Sequence, residues 1–258
     1  MSGMWLKTIA LSILLAAGGR AFAGGTPQTA PSPAPPADID IDLVSVSAPP
    51  VGAPHERIAS GARSEDSPRP ILFASSETGC TILDHPTFYW YLAKPTDCDV
   101  EMDLVRMEGG VRTSVFKKVW EAVKAAGVYS FDVSEADGKP LLLNMEYQVT
   151  VTIMLSKTQN SASSGFVMRV TAPPGITPES DTAAFAKAGI WFDAIAAVSR
   201  KIETNPADEP ARRQRRGLLW TQHVFSQMNA QAAPSSAQPA EADMLRDFVK
   251  NEKKMAAR

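Results

Sequence analysis

The chain has 258 residues, of which 44% are hydrophobic and 21% charged, and 26 basic against 28 acidic residues leave a formal net charge of −2. This composition is typical of a globular protein and excludes fibrous and wholly disordered chains. It lacks the surplus of cations with which general nucleic-acid-binding proteins neutralise phosphates, so no nucleic-acid partner is predicted.

Residues 1–23 have the three parts of a secretory signal peptide. Lys7 supplies the positive charge, residues 8–19 form the apolar stretch, and the sequence AFA ends at Ala23 as a cleavage site. A membrane anchor would need about 20 apolar residues, and the glycines and arginine that follow residue 17 interrupt the run. We therefore expect cleavage between Ala23 and Gly24, a periplasmic or secreted protein, and no stable membrane span after cleavage.

Residues 24–70 hold ten of the 20 prolines and no aromatic residue. Such a segment cannot bury enough apolar surface to offset its chain entropy, which predicts a disordered, proline-rich tether. Asp38, Asp40 and Asp42 alternate within it, but calcium needs about six to eight oxygen ligands, so we interpret these acids as solvated. Residues 230–258 begin with proline and serine and then become charged, which predicts a flexible polar tail.

Between residues 71 and 175, apolar and polar side chains alternate with a period of two in about seven short stretches. Because no helical pattern clearly intervenes, we predict an antiparallel immunoglobulin-like or fibronectin-like β-sandwich. Tyr147 begins the strongest of these strands, where it predicts a tyrosine corner, and Trp90 is the expected central core aromatic.

Residues 176–229 are predicted to form a helical hairpin, which makes the fold class α+β. Thr177 is the expected N-cap of the first helix, whose apolar residues recur at three-four spacing until Asn205 and Pro206 end it. The second helix is expected to run from near Asp208 to about Met228.

Two sequence motifs carry a resemblance to a known family. They are CTILDHPTFYWY at residues 80–91 and AKAGIWFDAI at residues 186–195. Together they resemble a bacterial family of exported proteins catalogued as domain of unknown function 928, over roughly Gly79 to Phe225. The resemblance implies an extracytoplasmic protein of unestablished function, so it supplies no catalytic residue to carry over. Residues 186–206 also resemble half of a tetratricopeptide repeat, whereas stacked repeats usually need three or more.

Catalytic and metal-binding motifs are sparse. His85 and His223 are the histidines left for a structured site, and neither is accompanied by a G-x-S-x-G elbow, an H-E-x-x-H motif or paired C-x-x-C ligands. We predict no catalytic residue, no metal site and no cofactor, and a non-enzymatic protein.

Arg212, Arg213, Arg215 and Arg216 form a basic cluster near the start of the second predicted helix. They could hold an anionic polymer or a lipid headgroup. Because four arginines within five residues spread around a helix at about 100° per residue, we favour a solvated surface.

Four aromatic residues form the candidate interaction surface. Alternation places Tyr89 and Tyr91 on the face of their strand that points away from the core. This face could stack on sugars, but packing under the helical hairpin is favoured. In the hairpin, Trp191 and Trp220 lie beside or outside the main apolar stripe and need a surface to cover them. Whether the hairpin packs on the sandwich or on a partner stays open.

Cys80 and Cys98 are the two cysteines of the chain. In an exported protein they have an oxidising compartment, and the expected strand order brings both to the same end of the sandwich, which predicts a disulfide. Two separate thiols are the alternative.

The preferred function is a non-enzymatic interaction protein of the bacterial envelope, with another envelope protein as its partner. The alternative is a module that binds a polysaccharide or cell-wall polymer through Tyr89 and Tyr91. A hydrolase is the third and least favoured class.

The predicted export can be tested by the mass of the secreted product. Protein recovered from the periplasm or medium should have lost residues 1–23 and begin at Gly24, because the cleavage site ends at Ala23. Intact-mass analysis measures this directly, and retention of the uncleaved chain in the cytoplasm would contradict the assignment.

Overall fold

The computed structural model describes residues 42, 45–47, 68–75, 77–109, 111–136, 139–156, 159–232, 247–248 and 252. The predicted signal peptide and most of the predicted tether lie outside these residues. Within the described part of the chain, eight strands are followed by three helices. The fold class is α+β, as the sequence predicted.

The strands form two sheets. Their bounds are β1 Pro70–Leu72, β2 Gly79–Thr81, β3 Thr87–Leu92, β4 Val100–Glu108, β5 Val111–Trp120, β6 Gly127–Asp132, β7 Glu146–Ile153 and β8 Ser161–Arg169. One sheet has the order β1-β3-β6 and the other the order β2-β8-β7-β4-β5. All neighbours within them are antiparallel except β2 and β8, which are parallel.

An aromatic core joins the two sheets. Trp90 of β3 is fully buried, and its ring centroid lies 4.8 Å from that of Tyr129 on β6 and 5.9 Å from that of Trp120 on β5. The rings of Phe116 on β5 and Phe131 on β6 lie 4.6 Å apart. Since β5 belongs to one sheet and β3 and β6 to the other, these contacts make a β-sandwich with Trp90 in its core.

The predicted tyrosine corner is confirmed at the start of β7. The hydroxyl of Tyr147 accepts a hydrogen bond of 2.9 Å from the backbone N–H of Leu142, five residues earlier. The phenol thereby ties the incoming loop to the core, which is the role of this residue in immunoglobulin-like sandwiches.

The segment predicted as one long helix forms two, α1 (Thr182–Lys187) and α2 (Trp191–Thr204). Thr177 is not the N-cap, because its backbone N–H is bonded to Ser180 Oγ in a preceding turn. Asp181 caps α1 instead, and its carboxylate accepts from the N–H of Ala184 at 2.8 Å.

Gly189 divides the two helices. Its φ of 74° lies in the left-handed region that glycine adopts without steric cost. The N–H of Gly189 donates to the carbonyl of Ala186 at 3.1 Å, and the N–H of Ile190 donates to that of Phe185 at 2.9 Å. These are the two hydrogen bonds of a Schellman motif, so α1 ends here and α2 begins at Trp191.

The third helix, α3 (Glu209–Ala232), follows a short connection. Asp208 accepts from the N–H of Ala211 at 2.9 Å and so caps α3, close to where the sequence placed the start of the second helix. Helices α2 and α3 pack together as a hairpin. Its likeness to half of a tetratricopeptide repeat stays a prediction.

The described residues of the terminal segments pack on the fold. The backbone N–H groups of Asp42 and Ser47 donate to carbonyls of α3 and α1. Phe248 and Glu252 are 0% and 1% exposed. At these positions, the chain does not form the free tether and free tail that composition suggested.

The predicted disulfide is wrong, since no bond joins Cys80 and Cys98. Cys80 on β2 lies opposite Met168, near the end of β8. Cys98 lies just before β4, whose first residue pairs with Ile153 at the end of β7. Ile153 in turn pairs with Ser161, which is at the other end of β8. Residues 161 and 168 of a strand are about 23 Å apart, whereas a disulfide needs Cα atoms within about 7 Å.

No helix in the described part of the chain is long and apolar enough to span a membrane.

Candidate interaction site

The two motifs that carried the family resemblance meet at Asp193. This aspartate is the third residue of α2 and is 1% exposed. Its carboxylate accepts from Thr81 Oγ1 at 2.7 Å and from the backbone N–H of Ile82 at 2.8 Å. Asp193 therefore bonds the start of α2 to the end of β2.

Aromatic side chains beside Asp193 complete this junction. Trp191 Nε1 donates to the carbonyl of Phe73 at 3.0 Å. The ring of Phe192 meets that of Phe88 edge-on at 5.1 Å. A Cβ atom at Gly79 would lie 2.6 Å from Phe192, so the close approach of the helix requires glycine there.

Burial raises the pKa of the Asp193 carboxyl to about 6. The hydrogen bonds from Ile82 and Thr81, and the more distant charge of Arg200, act in the opposite direction but do not cancel the loss of hydration.

The candidate surface of four aromatic residues is buried, with exposed fractions of 7% or less for Tyr89, Tyr91, Trp191 and Trp220. The Tyr89 hydroxyl donates to Glu203 of α2 at 3.3 Å. Burial, and then the negative charge of Glu203, raise the pKa of Tyr89. The helices thus pack on the sandwich, and these four residues do not form an exposed interaction surface.

Three of the four clustered arginines are also buried, contrary to the expected solvated surface. Arg212, Arg215 and Arg216 are 7%, 4% and 2% exposed, and we name them the arginine cluster. Their i, i+3, i+4 spacing places them on one face of α3. Arg213 lies off this face and is half-buried.

All three residues of the arginine cluster contact Glu252, two of them at its carboxylate. Arg215 donates to Oε1 of Glu252 from Nε at 2.8 Å and also from Nη2. Arg216 Nη1 lies 3.6 Å from Oε2, and its Nη2 donates to Glu209 at 2.7 Å. Arg212 Nη1 donates to the backbone carbonyl of Glu252 at 3.4 Å. Two N–H groups of Arg215 thus share one oxygen of the Glu252 carboxylate, and charge-assisted hydrogen bonds of this kind are stronger than those between neutral groups.

Phe248 occupies an aromatic site near this cluster. Its ring centroid lies 5.1 Å from that of Phe73 and 4.6 Å from that of Tyr91. Phe248 and Glu252 are four residues apart and both positions are helical, and residues at this spacing in one helix lie on the same face. We define the docking surface as Phe73, Tyr91 and the arginine cluster.

The sequence held two signals for this site. The arginines have helical spacing, and so have Phe248 and Glu252, but the two sets are separated by more than 30 residues. Nothing in the spacing of either set shows that the other neutralises or covers it.

Of the two histidines that could serve a catalytic site, the structure describes the side chain of His85. His85 Nδ1 lies 3.1 Å from Asp84 Oδ1, and this contact lowers the pKa of Asp84. The hydroxyl of Ser134 donates a hydrogen bond to the carboxylate of Asp132. The side chain of His223 lies outside the described residues.

Fold and site define a two-part protein, in which a β-sandwich carries a helical hairpin and Phe248 and Glu252 lie against a surface beside their junction. The model of the family described as Domain of Unknown Function (DUF928) matches residues 56–232, and the chain belongs to this family. No curated protein matches the chain.

Among solved structures, the fn3 domain of the human collagen alpha-1(XX) chain, determined in solution, is similar to part of this chain. The identity is 19%, the match covers 47% of this chain and 98% of that one, and the TM-score is 0.25.

The buried Asp193 predicts a pH-dependent stability. Because its pKa is raised from 3.8 to about 6, the folded state binds this proton more tightly than the unfolded state. The protonated Asp193 side chain contributes about 3 kcal/mol to the free energy of unfolding. This contribution is fully present below about pH 4 and is lost as the pH rises through 6. Urea denaturation of wild type and Asp193→Asn between pH 4 and 7 should give curves whose difference shows this fall.

Asp99→Asn is the matched control, since Asp99 is exposed and its substitution should leave the fall in place. Parallel pH profiles for wild type and Asp193→Asn would contradict the assignment.

Proposed function

We propose that this chain is a non-enzymatic, extracytoplasmic interaction protein, and that its docking surface binds a segment of another envelope protein. One observation carries the proposal. A buried arginine cluster beside two aromatic rings holds an aromatic side chain and a carboxylate that lie four residues apart.

The energetics of the arginine cluster support a binding role. Buried guanidinium groups need acceptors or anionic partners, because an uncompensated buried charge is strongly destabilising. Arg212 donates to backbone carbonyls, whereas Arg215 and Arg216 contact carboxylates. Glu209 contacts Arg216, but Arg215 receives its carboxylate from Glu252, which belongs to a separate segment. A surface that depends on an anion from another segment is suited to recognising one.

The aromatic half of the surface adds affinity and position. Burying one phenylalanine side chain contributes about 1.5–3 kcal/mol. Phe73 and Tyr91 both contact the Phe248 ring. An aromatic residue of a partner would bind at the same place, and therefore at a fixed distance from the arginine cluster. Recognition of a short segment by separated anchors is the helix-in-groove mode of peptide binding.

The alternative functions have less support. A sugar would have to stack on Tyr89 or Tyr91, and these side chains are covered by α2 and Phe248. A hydrolase has no support from the sequence, since neither His85 nor His223 is accompanied by a nucleophile motif. The extracytoplasmic part of the proposal rests on the signal-peptide pattern of residues 1–23.

A full-length chain with Phe248→Ala and Glu252→Gln tests the proposal. These changes remove the aromatic ring and the carboxylate, the two anchors, that occupy the docking surface. A fluorescent peptide of residues 240–258 should bind this variant with a dissociation constant of about 10 µM, which is about −7 kcal/mol. Fluorescence anisotropy measures the binding.

Matched peptides separate specific from general attraction. A peptide with Asp247→Asn should bind equally well, since Asp247 is exposed. A peptide with Phe248→Ala and Glu252→Gln should bind at least tenfold more weakly. Equal binding of all three peptides would refute the docking surface as a specific site.

A further inference from the structure

The docking surface is occupied by the same chain, which indicates how binding is controlled. This inference rests on the proposed function and concerns the partner and regulation of the same site. We propose that the C-terminal segment is a built-in competitor, and that the partner is a helical segment with an aromatic residue and a carboxylate four positions apart.

The competitor and the partner must satisfy the same chemistry. Glu252 is enclosed by guanidinium groups and is 1% exposed, so a second carboxylate cannot reach Arg215 while Glu252 is there. Phe248 is fully buried against Phe73 and Tyr91, so a second aromatic ring is excluded too. Binding of a partner therefore requires release of the C-terminal segment.

The i, i+4 spacing specifies the form of the partner. In a helix, two side chains four residues apart lie on one face, about 6 Å apart along the axis. An extended segment would place side chains four residues apart about 13 Å from each other. Insertion of one residue in a helical segment would turn the carboxylate by about 100° away from the arginine cluster.

The connection between α3 and the anchors sets the strength of the competition. Fourteen residues separate Ala232 from Asp247. For a connection of this length, we expect an effective concentration of about 1 mM for the tethered segment. Against a dissociation constant of about 10 µM, the tethered segment should weaken binding of an external segment about 100-fold.

The first experiment compares full-length wild type with the Phe248→Ala, Glu252→Gln chain, using the fluorescent peptide of residues 240–258. The wild-type chain should bind the peptide about 100-fold more weakly than the variant. Full-length Asp247→Asn, in which both anchors are kept, should behave as wild type. A peptide with one alanine inserted between residues 250 and 251 should lose at least tenfold in affinity for the variant.

A second variant leaves every docking residue in place. Insertion of 28 glycine and serine residues after residue 239 triples the length of the connection, which should raise peptide affinity of the otherwise wild-type chain about fivefold. This result is expected only if the competing segment is tethered to the surface that it covers.

The outcomes distinguish the two proposals. Equal peptide affinity of wild type and the double variant would overturn the competition and leave the docking surface intact. Absence of binding to a folded double variant would overturn both proposals. If the peptide with the inserted alanine binds as well as the original peptide, while competition by the C-terminal segment is retained, the proposal that the partner is helical would be overturned.

Discussion

The buried carboxylate of Asp193 is the interaction on which the rest of the arrangement depends. It accepts hydrogen bonds from Thr81 and Ile82, and so fixes the first turn of α2 against the five-stranded sheet. From this point α2 crosses β3, where Glu203 meets Tyr89. The short connection to α3 then places the arginine cluster close to the aromatic side chains of the sandwich. A carboxylate without water needs such donors, which makes the position of the helix specific.

Helix α3 is covered by segments other than α2, its partner in the hairpin. Buried residues occur on most sides of its first three turns, and α2 can contact just one of these sides. The carbonyl of Asp42 lies so close to Gly217 that a side chain there would collide with it, and Glu252 neutralises the arginine cluster. Segments from both ends of the described chain thus complete the burial that two helices cannot achieve alone, and one of these segments occupies the docking surface.

Local patterns in the sequence predicted much of the fold. Period-two alternation identified the strands, Tyr147 marked its corner, and the two motifs defined the family. The N-cap at Thr177 and the undivided first helix were local errors, whereas the other wrong predictions depended on partners distant in the chain. The arginines at 212, 215 and 216 were predicted to be solvated because their contact with Glu252 cannot be inferred from local spacing. The disulfide was predicted because Cys80 and Cys98 lie in or just before strands that run in the same direction, but the two cysteines lie at opposite ends of the sheet. Local spacing carries information about an element, and it carries little about the residues that another segment brings to that element.

The most direct test of the account is a double-mutant cycle between Arg215 and Glu252. The free energies of unfolding of full-length wild type, Arg215→Gln, Glu252→Gln and the double variant would be measured in urea at pH 7. Because the pair is buried, we predict a coupling of more than about 1 kcal/mol, well above that of the more exposed pair Lys118 and Glu135. Additive effects, within about 0.5 kcal/mol, would show that the carboxylate of the C-terminal segment is not held by the arginine cluster and would contradict the account.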